Sequence, residues 1–385
     1  MKIDDKTSHN SPSLRFPEFT GEWKYFSIND VCSEFKSGKN IKADLISSNG
    51  NFPVYGGNGL RGYTSSYNHD GLYVLIGRQG ALCGNVRSVF GKIYITEHAI
   101  AVAGNEKSDT NFLHYLFLKM NLGQYSDQSA QPGLAVNKLL KLKVLLPSIS
   151  EQIKIAKLLS LLDERIAVQS RLIDRLQSLM IGLNNSLYEQ YGNDITTSFM
   201  ELGYSYSGLS GKSAKDFGSG KPFITYLNVY SNIIVDETDY QYVRINDGEK
   251  QNIVRTGDVL FTLSSETPEE VGIGSVYLGE KEVYLNSFCF GIHIERNQLA
   301  YSPYLSYYVT STAFRKFIYP FAQGSTRFNL CKADFEKASI KLPSLDNQKR
   351  ISAMLDCIAE KIQAEKAILE YYNIQRQYLL RQMFI

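Results

Sequence analysis

This chain repeats itself, and the repeat limits what it can fold into. Shifted by 196 residues, the stretch 129–187 falls on 325–383 without a gap. Ser129 meets Ser325, Lys141 meets Lys337, Leu146 meets Leu342, and Pro147-Ser148 meets Pro343-Ser344. Further on, Gln152 meets Gln348, Glu164 meets Glu360 and Ile166 meets Ile362. A period this long is no solenoid repeat; it means two copies of a whole module. Upstream the register breaks. Phe112-Leu113-His114-Tyr115-Leu116 resembles Tyr304-Leu305-Ser306-Tyr307-Tyr308 only after a short gap, and before that the halves share little. The chain thus reads variable, shared, variable, shared.

The shared stretches read as long helices. Apolar residues recur at alternating steps of four and three: Ile155, Leu159, Leu162, Ile166, then Ile173, Leu176, Met180, Leu183 and Leu187, interrupted by Gln169. The second copy gives Ile351, Leu355, Ile358, Ile362, then Leu369, Tyr372, Leu379 and Met383, interrupted by Glu365 and Arg376. This is the seam of a coiled coil, and a polar residue at one seam position, as at Gln169 and Glu365, fixes register at some cost in stability. Amphipathic helices packed on their own domains are the other reading, but the seam is long and narrow for a small domain's core. Pro147 and Pro343 stop the helices from extending upstream. Ser150 and Asp346 are candidate N-caps, and Tyr191-Gly192-Asn193 supplies a glycine stop. A helix of about 40 residues spans roughly 60 Å. Two equivalent helices most simply pair with each other, and an antiparallel pair places the variable modules at opposite ends of a rod.

The expected fold class is therefore α+β: two globular mixed α/β domains joined by two long helices that form an antiparallel coiled coil, with a pseudo-twofold internal repeat. The segments are an N-terminal extension (1–17), a first variable domain (18–146), a central spacer helix (147–192), a second variable domain (193–342) and a C-terminal spacer helix (343–385). Within the variable domains, Leu72–Ile76, Lys92–Thr96, Asp258–Thr262 and Val283–Leu285 read as strands broken by Gly and Asn turns. Helices are expected near Asn111–Met120 and Tyr304–Ile318.

Composition narrows the function. The 385 residues are 43% hydrophobic and 21% charged, as in an ordinary folded protein of two or three domains. Apolar runs, such as Val144-Leu145-Leu146, are only a few residues long, too short to span a membrane. The polar N-terminus is unlike a signal peptide, so a cytoplasmic location is expected. Five scattered Cys with no CxxC pair argue against a disulfide framework or a Cys-based zinc site. Tyr is abundant, at 26 residues; it suits contact surfaces, and it equally fills β-strands.

Enzyme motifs are decoys or missing. Gly57-Asn58-Gly59-Leu60-Arg61-Gly62 fits GxGxxG, but the turn-rich run that follows opens no helix, as a dinucleotide site requires. Gly208-Leu209-Ser210-Gly211-Lys212-Ser213 resembles a P-loop with its first Gly two residues too close and no apolar strand before it. His9, His69, His98, His114 and His293 form no HxxxH or HExxH pair, and no metal site is expected. No G-x-S-x-G elbow occurs. No catalytic residue is assigned.

Two variable modules, each followed by a Pro-capped long helix, resemble the specificity (S) subunits of type I DNA restriction–modification systems. Leu14-Arg15-Phe16-Pro17-Glu18-Phe19 with Gly21-Glu22-Trp23 is similar to the family's opening. Leu146-Pro147-Ser148, Glu151-Gln152 and Ile155-Ala156 are similar to its LPxxxEQxxIA helix start, and Leu342-Pro343-Ser344, Gln348 and Ile351 repeat it with Asn347 in place of Glu. Ser129-Ala130-Gln131-Pro132-Gly133-Leu134 and Gln323-Gly324-Ser325-Thr326-Arg327 resemble the segments that end its target-recognition domains. The resemblance covers nearly the whole chain. It implies a non-catalytic DNA reader in which each domain reads one half of a bipartite double-stranded site and the helices set the spacing. It further implies two modification subunits that methylate adenine N6 with S-adenosylmethionine, and restriction subunits that use ATP and Mg. None of these cofactors is expected on this chain, and no membrane is involved.

On that reading, candidate DNA contacts lie beside glycines and in polar loops, since Arg reads guanine and Asn or Gln reads adenine. In the first domain they are Asn58, Arg61, Arg78, Gln79 and Arg87. In the second they are Lys221, Tyr226, Asn228, Ser264, Ser265, Thr267, Ser325, Thr326 and Arg327. Residues 18–150 carry 13 Lys and Arg against 10 Asp and Glu, whereas 193–345 carry 14 against 17. The second domain must therefore gather its basic residues on one face, with its acidic pairs Asp236-Glu237 and Glu269-Glu270 away from a duplex. The competing reading is a structural adaptor, with two protein-binding domains on a coiled-coil rod.

Overall fold

A computed structural model describes residues 10–127 and 132–385. The chain divides into two units: residues 1–170 with 367–385, and residues 171–366. The division cuts both long helices, so each unit holds one end of each.

In the first unit the order is β1 (Lys24–Ser27), α1 (Ile28–Val31), β2 (Cys32–Ser37), β3 (Phe52–Gly56), β4 (Gly59–Thr64), β5 (His69–Gly77), β6 (Val86–Ile95), β7 (Ala99–Gly104), α2 (Thr110–Met120), α3 (Val136–Leu140), β8 (Lys143–Leu146) and the start of α4 (Ile149–Tyr191). Six strands form one sheet in the order β2-β7-β5-β6-β3-β4. All its neighbours run antiparallel except β3 beside β6. The continuous apolar run in β5 follows from burial on both faces. Val74 and Ile76 join the main core with α2 and the helix ends, while Leu75 packs on the opposite face with Val89, Ile93, Ile95 and Ala101.

The second unit follows the same plan: β9 (Ile195–Ser198), α5 (Phe199–Leu202), β10 (Gly203–Ser207), β11 (Phe217–Ile224), α6 (Tyr226–Ser231), β12 (Tyr240–Val243), β13 (Val259–Thr262), β14 (Ser264–Ser265), β15 (Gly274–Val276), β16 (Tyr284–Leu285) and β17 (Cys289–Ile294). Then come α7 (Ser302–Tyr308), α8 (Thr312–Ile318), β18 (Ala322–Gln323), β19 (Phe328–Leu330), α9 (Lys332–Lys337), β20 (Ser339–Leu342) and α10 (Leu345–Gln382). The sheet β10-β17-β13-β15 matches β2-β7-β5-β6 strand for strand. The hairpin β3–β4, joined in parallel to β6, has its counterpart in β11–β12, joined in parallel to β16. The repeat thus extends through the variable regions, where the sequence no longer shows it.

The two long helices meet end to start within each unit. In the first, Leu379 and Met383 of α10 share a core with Ile155, Leu159 and Leu162 of α4. In the second, Ile351 and Leu355 of α10 pack with Met180, Leu183 and Leu187 of α4. The helices are therefore antiparallel. Ile155, Leu159, Leu162, Ile173, Ile351, Leu355 and Ile362 are buried, and Ile166, Leu176, Ile358 and Leu369 are half-buried. Gln169 and Glu365 are both buried in the seam. Arg376, which breaks the apolar pattern, forms an ion pair with Asp163 of α4.

Two expectations are corrected. The helices begin at Ile149 and Leu345, two residues earlier than N-caps at Ser150 and Asp346 would set them. Ser148 Oγ accepts from the Glu151 N–H, and the Ser344 N–H donates to Asp194. The span 304–318 is two helices rather than one, because Ser311 caps α8 by accepting from the Phe314 N–H. The GxGxxG run is the β3–β4 hairpin, where Gly59 has a positive φ and a Cβ would meet the Arg87 guanidinium at 3.1 Å.

Candidate nucleic-acid interface

In the first unit, the two-residue turn Gly57-Asn58 brings β3 and β4 back beside the loops after β5 and β6. A Cβ on Gly57 would lie 2.8 Å from the His98 carbonyl, so glycine is what permits this approach. Asn58, Arg61, Gln79 and His98, with Gly56 and Gly57, line one cleft of about 250 Å³. Asn58, Arg61 and Gln79 are exposed. Gln79 Oε1 lies 3.1 Å from His98 Nδ1, and His98 Nε2 lies 3.2 Å from Glu97. Arg87 is exposed on β6, its guanidinium against Gly59. Four of the five candidates thus come together, and His98 joins them. Arg78 does not share the cleft. It is half-buried, its backbone bonds to His98 and Leu134, and its guanidinium reaches back to the Glu97 carbonyl at 3.5 Å.

In the second unit the corresponding hairpin turn is replaced by residues 225–239, which include α6. Thr225 caps α6, and Tyr226, half-buried, donates to the Ser264 carbonyl at 2.9 Å. Ser264 and Ser265 form β14, which pairs with β19 beside β18. The turn from β18 to β19 carries Ser325, Thr326 and Arg327, all exposed. It closes on Gly324, with φ at +143° and the Arg327 carbonyl 2.1 Å from where a Cβ would stand. Arg327 lies over the exposed Phe288 ring at 6.0 Å. Thr267 is exposed nearby, and Lys221 is exposed on β11, in a different sheet.

Several candidates are corrected on access. Asn228 is buried, and its amide is fully used. Nδ2 donates to the Asp236 and Asp239 carbonyls, while Oδ1 accepts from the Asp236 N–H. It pins the loop and does not face solvent. Ser264 and Ser265 are buried within the sheet, and Ser265 Oγ donates to Glu270 at 3.1 Å. Glu270 is therefore beside these candidates and not remote from them. Its carboxyl is held below the usual carboxylate range first by the Tyr230 hydroxyl and then by Ser265. Arg315 steadies the same turn by donating to the carbonyls of Glu269, Val271 and Gly272. Ser129-Ala130-Gln131, which the 196-residue shift sets against Ser325-Thr326-Arg327, lies outside the described residues. Among the described residues no group of three or more His, Cys, Asp and Glu side chains is placed to hold a metal ion. Nor is any helix among them long and apolar enough to cross a membrane.

Both units also share an anchor to their helices. Gln152 Oε1 accepts from the Asp109 N–H, and Nε2 donates to the carbonyls of Lys107 and Pro147. Gln348 makes the same three bonds to Tyr301, Leu299 and Pro343. The loop framework of each unit is thereby tied to the start of a long helix.

Comparison with known proteins agrees with this architecture. The family model for the type I restriction modification DNA specificity domain matches twice, over residues 20–178 and 209–371. The chain is 24% identical over 87% of its length to a putative type I restriction enzyme specificity subunit from Haemophilus influenzae, covering 86% of that protein. Over 154 residues it is 42% identical to the specificity subunit of the Escherichia coli type I restriction enzyme EcoprrI. That alignment spans 39% of this chain and 38% of the relative. The S subunit of a type I system from M. genitalium superposes with a TM-score of 0.63 at 17% identity, covering 97% of this chain and 99% of that one.

Proposed function

The chain belongs to the type I restriction–modification DNA specificity family, and from that premise we propose that each unit reads one half of a bipartite double-stranded DNA site. The observation that carries this reading is one framework built twice that carries different exposed side chains: Asn58, Arg61, Gln79 and Arg87 in one unit, Thr267 and Ser325–Arg327 in the other. A constant scaffold with variable loops is what a reader of two unlike half-sites requires. The antiparallel helices set the distance between the halves.

The same helices offer a second face. Leu161, Val168, Leu172 and Leu179 of α4 are exposed at steps of seven, four and seven, away from the seam, as are Tyr371, Ile374 and Tyr378 of α10. Apolar stripes of this kind suit partner helices, and in this reading two modification subunits dock there. Those subunits supply the S-adenosylmethionine chemistry, and restriction subunits supply that of ATP and Mg. The chain itself catalyses nothing. Its second unit, with its excess of acidic residues, relies on these partners for part of the grip on DNA.

The test is a gel shift of the full chain with its modification subunit on duplexes carrying the host's methylated motifs. A shift specific to one split motif is expected. Equal binding to all duplexes, or none, favours the adaptor reading instead.

A further inference from the structure

The duplicated framework identifies one pair of equivalent positions. In the first unit, β6 ends at Ile95 and the turn Thr96-Glu97-His98 leads into β7. In the second, β16 ends at Leu285 and Asn286-Ser287-Phe288 leads into β17. The backbone bonds agree one for one. Thr96 N–H donates to Tyr55, as Asn286 N–H donates to Ile224; Ala99 N–H donates to Thr96, as Cys289 N–H donates to Asn286. The His98 carbonyl accepts from Arg78, as the Phe288 carbonyl accepts from Leu263. The neighbour also recurs. Gln79 bridges to Gly133 and Ser264 pairs with Asn329, and positions 133 and 329 are again 196 apart.

The side chains at this shared position are chemically opposite. His98 is a polar ring, 44% exposed, held at 3.1 Å by Gln79 in a cleft with Asn58 and Arg61. Phe288 is apolar and 56% exposed, with Arg327 over its ring. A large apolar ring in water on a turn does nothing for the core. Burial against a partner would remove that apolar surface from water.

We propose that this turn is a base-reading position in each unit, with His98 and Gln79 reading a base edge by hydrogen bonds and Phe288 reading the 5-methyl group of a thymine. The proposal rests on the DNA-reading function above and names where its specificity resides. Hydrogen-bonding side chains distinguish all four base pairs in the major groove, whereas an apolar ring selects the methyl of thymine.

The experiment is selection from a randomised duplex library by the complex of the full chain with its modification subunit. The chains compared are wild type, Phe288→Ala, Phe288→Leu, His98→Ala and His98→Asn. Each variant is checked for an unchanged melting temperature, which both exposed positions permit. Phe288→Ala is expected to weaken a thymine preference about tenfold at one position of one half-site, with Phe288→Leu in between. Replacing that thymine by deoxyuridine should cost the wild type the same factor and leave Phe288→Ala indifferent. His98→Ala and His98→Asn should change a position in the other half only. A wild-type complex that selects a split motif, with variants selecting the identical motif, overturns the proposal and leaves the DNA-reading function standing. So does a uniform loss of affinity with no change in preference. A wild-type complex with no sequence preference overturns the function on which the proposal rests.

Discussion

The two units solve one problem in two ways. Their sheets share strand order, their hairpins join in parallel at the same edge, and Gln152 and Gln348 make the same three hydrogen bonds. They differ in what fills the frame. The first unit turns its hairpin on two residues and is packed mainly by aliphatic side chains with Trp23, Phe112 and Phe117. The second inserts α6 in that turn and packs Phe199, Phe261, Phe290, Phe314 and Phe335 ring against ring. The lesson is that backbone bonding and helix anchoring carry the fold, and side-chain identity is left free to vary.

The largest effect should separate the cores. Phe335 in α9 and Leu139 in α3 are equivalent, both fully buried. Phe335→Ala is expected to cost about 3–5 kcal/mol, and Leu139→Ala to fall toward the lower end of about 2–5 kcal/mol. Urea unfolding of the full chain measures both. Equal losses would contradict an aromatic cluster as the second unit's main support.

Acid should then tell the units apart. Burial holds His114 down to about 4, with Asp163 opposing and Arg376 adding to the shift. Above the free histidine value the ring is neutral whether folded or unfolded, and it contributes no slope. As pH falls from about 6.5 to 4, the unfolded chain binds a proton that the folded chain refuses. Stability should therefore drop by about 3 kcal/mol. Ser306 holds this place in the second unit. His114→Ser should remove the slope in denaturation curves taken between these pH values, and an unchanged slope would assign the acid sensitivity elsewhere.

The shared anchor predicts equality. Gln152→Ala and Gln348→Ala each strand a buried N–H and two carbonyls, at a cost of about 1–3 kcal/mol. Thermal unfolding should show matching losses; a loss in one variant alone would break the structural equivalence. The smallest effect concerns tyrosines. Tyr115 donates to Asp163 at 2.9 Å, and Tyr307 donates to Asp356 at 2.6 Å. Substitution by Phe should cost about 1 kcal/mol in each case. It should cost less at Tyr115, because Asp163 keeps its ion pair with Arg376, whereas Asp356 keeps a hydrogen bond from Ser352. The reverse order would show that the ion pair depends on the tyrosine.

Much of this was legible in the sequence, because the legible part is periodic. The helical seam, the duplicated helix starts and the apolar runs of β5 and β13 follow from spacing alone. The duplicated sheet was not legible, since its register is set by backbone hydrogen bonds that many sequences satisfy. The candidate interface was legible in part. Glycine neighbours pointed to Asn58, Arg61, Gln79 and Arg87, whereas nothing local distinguishes the buried amide of Asn228 from an exposed one. His98 and Phe288 were missed for a related reason. Their signal is a shared position in two folded units, and the intervening sequence has diverged too far to align them.

The central claim is that each unit reads its own half-site. Exchanging residues 18–146 for the same region of another family member, with both long helices left intact, tests it most directly. Long-read methylation sequencing of the host DNA gives the readout. The expected result is a new split motif in which one half changes while the other half and the spacing stay as they were. A change in both halves, or an unchanged motif, would contradict it.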